Sequence, residues 1–267
     1  MRTLTAAAVS ILEAAEPAEK MARSHAAAAL WRQGTIHEIG AAGAPPRPVR
    51  PERPLLRHAR DMPKRSARGS RENRIALLHA LAHIELNAVD LAWDLIARFA
   101  STNLPLAFFD DWVTVAEEEA THHRLLAERL QELGARYGDL AAHDGLWAAA
   151  AATSGDLLAR LAVVPLVLEA RGLDVTPSMI ERLDAAGDVT SAAILRVIYR
   201  DEIKHVAAGA RWFAWEAARR GIAPVATYQA LVRQHFRAAL KPPFNAAARA
   251  AAGFPAAFYA PLAASNS

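Results

Sequence analysis

The 267-residue chain contains no cysteine, which excludes disulfides, thiolate metal sites and a cysteine nucleophile. That absence is compatible with a cytoplasmic location, the expectation here. Nowhere do roughly eighteen apolar residues run uninterrupted, so no membrane span is expected. The opening "MRTLTAAAVSILEAAEPAEK" holds a short apolar patch, but acidic residues interrupt it before a signal-peptide pattern completes. Period-two alternation of β-branched residues is nearly absent as well. Alanine-rich, turn-poor stretches dominate instead, and the fold class they specify is all-α. Hydrophobic residues make up 53% of the chain, enough for one large domain with a real core.

The formal charge is only +3, but it is unevenly placed. Between Arg47 and Arg74 ten Lys/Arg stand against Glu52, Asp61 and Glu72, leaving the remainder of the chain net acidic. The stretch from Gly40 to Ser70 is also dense in proline, which excludes a helix. It reads as an extended basic strap. Two uses are open to it: pairing with the acidic face of its own domain, or clamping the phosphates of an RNA.

Three regions follow from these patterns. Residues 1–70 hold one or two leading helices (Leu4 to Arg32) and the strap. Residues 71–222 hold four long helical segments, and residues 223–267 a last helix and a Pro/Phe-rich tail. The first long helix is "RENRIALLHALAHIELNAVDLAWDLIARF", ended by "STN"; the second runs from Leu106 to Leu133 and stops at Gly134. The connection "ARYGDLAAHDGLWAAAAATSG" has the length of a crossover. The third helix starts after Ser154 or Gly155, contains Pro165 and is disturbed at "RGLDVTP". The fourth runs from Val189 to Arg220, stopped by Gly221 and Pro224.

Two of these helices carry Glu-x-x-His. Glu119 and His122 share one helical face, and so do Glu202 and His205. Sixteen glutamates and ten histidines give roughly 0.6 such pairs by chance, so the pairs alone prove little. Two further glutamates carry more weight. Glu85 in "LAHIELNA" and Glu169 in "VVPLVLEA" lie among aliphatic residues, and a carboxylate buried without a partner costs several kcal/mol. Glu85 precedes Glu119 by 34 residues and Glu169 precedes Glu202 by 33. Each interval straddles a turn almost symmetrically, so two antiparallel hairpins would each set a lone Glu level with a Glu-x-x-His. One Glu from each of two helices and one Glu-x-x-His from each of the other two is the donor set of a di-metal carboxylate site. Four carboxylates neutralise most of the charge of two divalent ions. Oxygen and nitrogen donors without thiolate favour iron or manganese.

On "HIELNA", "FFDDWVTVAEEEATHHRLLAERLQELG", "YGDLAAHDGLW", "LVLEARGLDVTP", "IYRDEIKHVAAGARWF" and "KPPFN" the chain resembles the ferritin-like superfamily. Within it the chain resembles the bacterial domain-of-unknown-function family DUF455, and more distantly it is similar to the MiaE-type di-iron tRNA hydroxylase. The resemblance covers nearly the whole chain. It implies a ferritin-like four-helix bundle with a long crossover between helices 2 and 3, and two iron ions, with manganese possible.

The residues around the six donors have two readings each. His79 and His83 are spaced i, i+4, a spacing that can bind metal, but His83 and Glu85 face different directions on one helix, and a core role suits both histidines better. Glu117, Glu118 and His123 point away from the face of Glu119 and His122. Asp201 either orients a ligand histidine or is solvated. Tyr199 either donates a hydrogen bond near the site or packs. Pro165 either opens access by a kink or is a tolerated bend. Phe108, Phe109, Trp112, Trp212, Phe213 and Trp215 suit core packing better than a substrate cage. The function expected is oxygen-dependent oxidoreduction at a non-haem di-iron centre, with an unidentified small-molecule or RNA substrate, an electron donor and a homodimer as possible partners. The alternatives are a ferroxidase-like metal handler and a non-catalytic helical module using its basic strap.

Overall fold

Local chemistry sets where the helices begin and end. The computed structural model describes residues 2–57, 61–62, 70–100, 103–236 and 238–264, whose regular elements are helices with no strand among them. Thr3 caps α1 (Leu4–Leu12) by accepting the Ala6 N–H at 3.3 Å, and Pro17 opens α2 (Pro17–Arg32) at a position that needs no N–H. Helix α3 is Arg71–Phe99 and α4 is Leu106–Glu132. Gly134, at φ 69°, closes α4 with two bonds: its own N–H to Gln131 O and the Ala135 N–H to Leu130 O. A short helix, α5 (Gly145–Ala152), lies in the crossover. The chain divides into two compact units at residues 147 and 148, inside α5.

In the first unit α3 and α4 pair closely, α1 packs on α3, and α2 packs on α4. Of the described helices, α3 is the one long and apolar enough to cross a membrane, and 78% of its most apolar window is buried. Buried polar groups tie this unit together. Lys20 Nζ lies 2.5 Å from Asp90 Oδ1 with both side chains inside, and Arg50 Nη2 reaches Asp90 at 3.1 Å and Asn87 at 2.7 Å. Trp93 Nε1 donates to Ser24 Oγ, which donates to Ala116 O.

The described part of the strap lies on this unit. Val49 N–H donates to Leu12 O, Arg57 N–H donates to Ala142 O, and Arg47 pairs with Asp144 at 2.5 Å. Its residues 58–60 and 63–69, and Ser101 and Thr102 of the "STN" turn, lie outside the described residues.

In the second unit α6 (Leu157–Val163) follows an Asp156 cap and leads into a π-helical turn, Val164–Glu169. Then come α7 (Ala170–Ala185), α8 (Val189–Arg219), α9 (Pro224–His235), α10 (Ala246–Ala251) and α11 (Ala256–Tyr259). Helices α7 and α8 pack as a pair, and α6 and the π-turn also rest on α8. The disturbance expected at "RGLDVTP" is found at Pro165 instead. That proline has no N–H for Leu161 O, and the wider π-turn gives its ring room without ending the helix. Pro177 sits inside a continuous α7, because the Leu173 carbonyl it leaves unserved accepts Asn245 Nδ2 at 3.2 Å. Helix α9 stops at His235, and two short helices, α10 and α11, follow it in the tail. Gly221, at φ 67°, ends α8 as Gly134 ends α4.

Candidate metal centre

The α3–α4 pairing places Glu85 beside the first Glu-x-x-His. His122 Nδ1 lies 3.2 Å from Glu85 Oε2 and 3.4 Å from Glu119 Oε2. Glu119 and His122 have no exposed surface, and Glu85 has 3%. Each of the three offers a ligand atom, and those atoms lie within 4.8 Å of one another. Burial, and then the charge of Glu119, push the Glu85 carboxyl up to about 8, while His122 pulls it the other way. Two carboxylates enclosed without solvent and facing one imidazole need a proton or a cation between them. This donor set fits a hard divalent ion.

The second unit carries the other Glu-x-x-His on α8. His205 Nδ1 lies 3.8 Å from Glu202 Oε2, and both residues are buried. Glu169 is half-buried at the end of the π-turn that packs on α8.

The neighbouring histidines are committed elsewhere. His83 accepts at Nδ1 from the Tyr137 hydroxyl (2.8 Å) and donates from Nε2 to His143 O (3.0 Å), and burial lowers its pKa to about 3. His123 donates from Nδ1 to Ala82 O at 2.8 Å, with burial lowering its pKa to about 4. His79 Nε2 accepts the Gly138 N–H at 2.9 Å. The rings of all three surround Tyr137, at 5.1 to 6.1 Å. These are hydrogen-bonded core histidines of the first unit.

Asp201 is buried, and it pairs along its own helix with Lys204 at 2.9 Å and Arg200 at 3.2 Å. Tyr199 OH accepts Asn245 Nδ2 at 3.0 Å, which ties α8 to the C-terminal tail. Phe108, Phe109, Trp112, Trp212 and Phe213 are buried, and Trp215 is half-buried with Arg219 5.9 Å from its ring centre. Gly209 is not a donor, but a glycine inside a helix four residues after His205 is itself a signal in the sequence.

Against known proteins, the model of the family described as "Protein of unknown function (DUF455)" matches residues 13–260. The chain is similar to an uncharacterized protein of Haemophilus influenzae, 44% identical over 207 residues, which span 76% of this chain and 72% of the relative. No solved structure matches. A family match over nearly the whole length, with a relative this similar, places the chain in the DUF455 family.

Proposed function

We propose that the chain is a non-haem di-metal carboxylate oxidoreductase built as a ferritin-like four-helix bundle over residues 71–222. In this proposal Glu85, Glu119, His122, Glu169, Glu202 and His205 together hold two iron, or manganese, ions. The observation that carries it is the buried Glu85–Glu119–His122 group, whose ligand atoms lie within 4.8 Å of one another. The second set repeats its residue types at nearly the same spacing.

When bound, a redox-active divalent pair supplies electrons to dioxygen. The chain's own residues do the rest. The carboxylates balance the ionic charge, and His122 Nδ1 is aimed at the space between Glu85 and Glu119. Ala116, Ala120 and Leu126, on the same helix as Glu119 and His122, are fully buried. The substrate in this reading is an unidentified small molecule or RNA, and an external donor returns the electrons.

Metal analysis of protein purified without added metal tests the proposal, with about two ions per chain expected. Glu202→Ala and His205→Ala should each lower occupancy, whereas Glu118→Ala should not. Finding no metal after anaerobic iron loading, with the helical fold intact, would sink the six-ligand assignment. The ferrous protein should consume oxygen once and hold its iron through chemical re-reduction. Sustained oxidation of many irons per chain would instead identify a ferroxidase.

A further inference from the structure

Gly209 stands in the interior of α8, a position where glycine is among the poorest helix formers. A Cβ added there would lie 2.5 Å from Cβ and 2.7 Å from Cγ of Pro165, closer than carbon atoms can approach. Only glycine lets α8 meet the π-turn at this point. Residue 209 follows Glu202 by seven and His205 by four, so the three share one stripe of α8. A second contact lies further along. The Cβ position of Gly172, three residues after Glu169 and on its face, falls 3.9 Å from Glu202 Cγ. The stripe bearing Glu202 and His205 therefore meets the segment bearing Glu169 one turn before that residue and one turn after it. Within the turn itself, the buried Tyr228 hydroxyl donates to Leu166 O at 3.2 Å.

We propose that this clamp, Pro165 seated on Gly209 and Leu166 O held by Tyr228, sets the rotation that turns Glu169 toward Glu202 and His205. The π-turn inserts one residue, which rotates everything after it by about 100° relative to an unbroken α-helix. An unbroken helix would carry Leu168 where Glu169 now stands. Gly209 and Tyr228 are positioning residues that act through the turn and are not ligands. The inference rests on the six-ligand reading above.

Titrating metal-free full-length protein with cobalt(II), followed by calorimetry and visible absorption, tests it. The parent should take up two ions. Gly209→Ala and Tyr228→Phe should keep the first and bind the second at least about tenfold more weakly. Their cobalt spectra should change in the same sense as that of Glu169→Gln, because coordination geometry sets the absorption. Gly155→Ala, whose Cβ meets nothing within 4 Å, should match the parent. Helical circular dichroism shows whether each variant folds; if Gly209→Ala does not, Tyr228→Phe decides alone. A parent that binds no cobalt overturns the six-ligand reading and this inference with it. A parent that binds two, with folded variants matching it in affinity and spectrum, overturns this inference alone.

Discussion

Nδ1 of His122, on α4, stands 3.2 Å from Oε2 of Glu85, on α3, with both side chains buried. Because burial and the charge of Glu119 already push the Glu85 carboxyl up to about 8, folding near neutral pH must protonate it, and glutamine at this position keeps the shape without that cost. Glu85→Gln should raise the melting temperature of chelator-treated protein by about 2–4 °C, corresponding to about 1 kcal/mol. The same change should abolish the rise that added metal produces in the parent. Calorimetry with and without chelator measures both. A variant as metal-responsive as the parent would remove Glu85 from the donor set.

The Lys20–Asp90 pair joins α2 to α3 inside the first unit, with the side chains 1% and 0% exposed. Burial pulls the Lys20 pKa down, and Asp90 opposes that by charge and hydrogen bond. Removing one member of a buried pair leaves the other uncompensated, so Lys20→Met should cost about 3 kcal/mol in urea denaturation. Arg50, 3.1 Å from Asp90, keeps the loss from being larger. A loss below about 0.5 kcal/mol would show that Arg50 suffices as the counter-ion.

Along the strap, two arginines make ion pairs of unequal worth. Arg47 and Asp144 are 52% and 30% exposed, whereas Arg50 reaches the fully buried Asp90. An exposed pair contributes little because water screens it and the side chains lose entropy; a pair with a buried member contributes more. Arg50→Ala should therefore speed proteolytic cutting between residues 47 and 57, and Arg47→Ala should leave the rate nearly unchanged. Equal effects would mean that charge alone, without burial, holds the segment.

Gly221 has φ 67° and no atom within 4 Å of its Cβ position, so alanine there meets only backbone strain. Gly221→Ala should cost about 1–2 kcal/mol by thermal unfolding, while Gly155→Ala stays within about 0.5 kcal/mol. Equal costs would show that the left-handed conformation at residue 221 adds no penalty of its own.

Much of the molecule was legible along the chain because its causes are local. Glycines mark helix ends through their own backbone limits, so α4 ends at Glu132 and α8 at Arg219, each one residue short of the expected Leu133 and Arg220 that precede Gly134 and Gly221, while α3 spans Arg71–Phe99 as its apolar pattern gives. The three-residue spacing that sets Glu119 beside His122, and Glu202 beside His205, is a property of one helix. The antiparallel pairing that sets Glu85 level with His122 follows from a turn halfway between them. What the tertiary structure decided depends on residues far apart in sequence. Lys20 and Asp90 are 70 positions apart, and neither announces the other. His83 spends both ring nitrogens on partners 54 and 60 residues away, which no i, i+4 spacing reveals. The π-turn at Pro165 and the regular helix at Pro177 look alike in sequence, since each proline only removes a donor and crowds a carbonyl. They differ because Gly209 gives the first ring space beside α8, while Asn245 supplies the second turn with the hydrogen bond it lost.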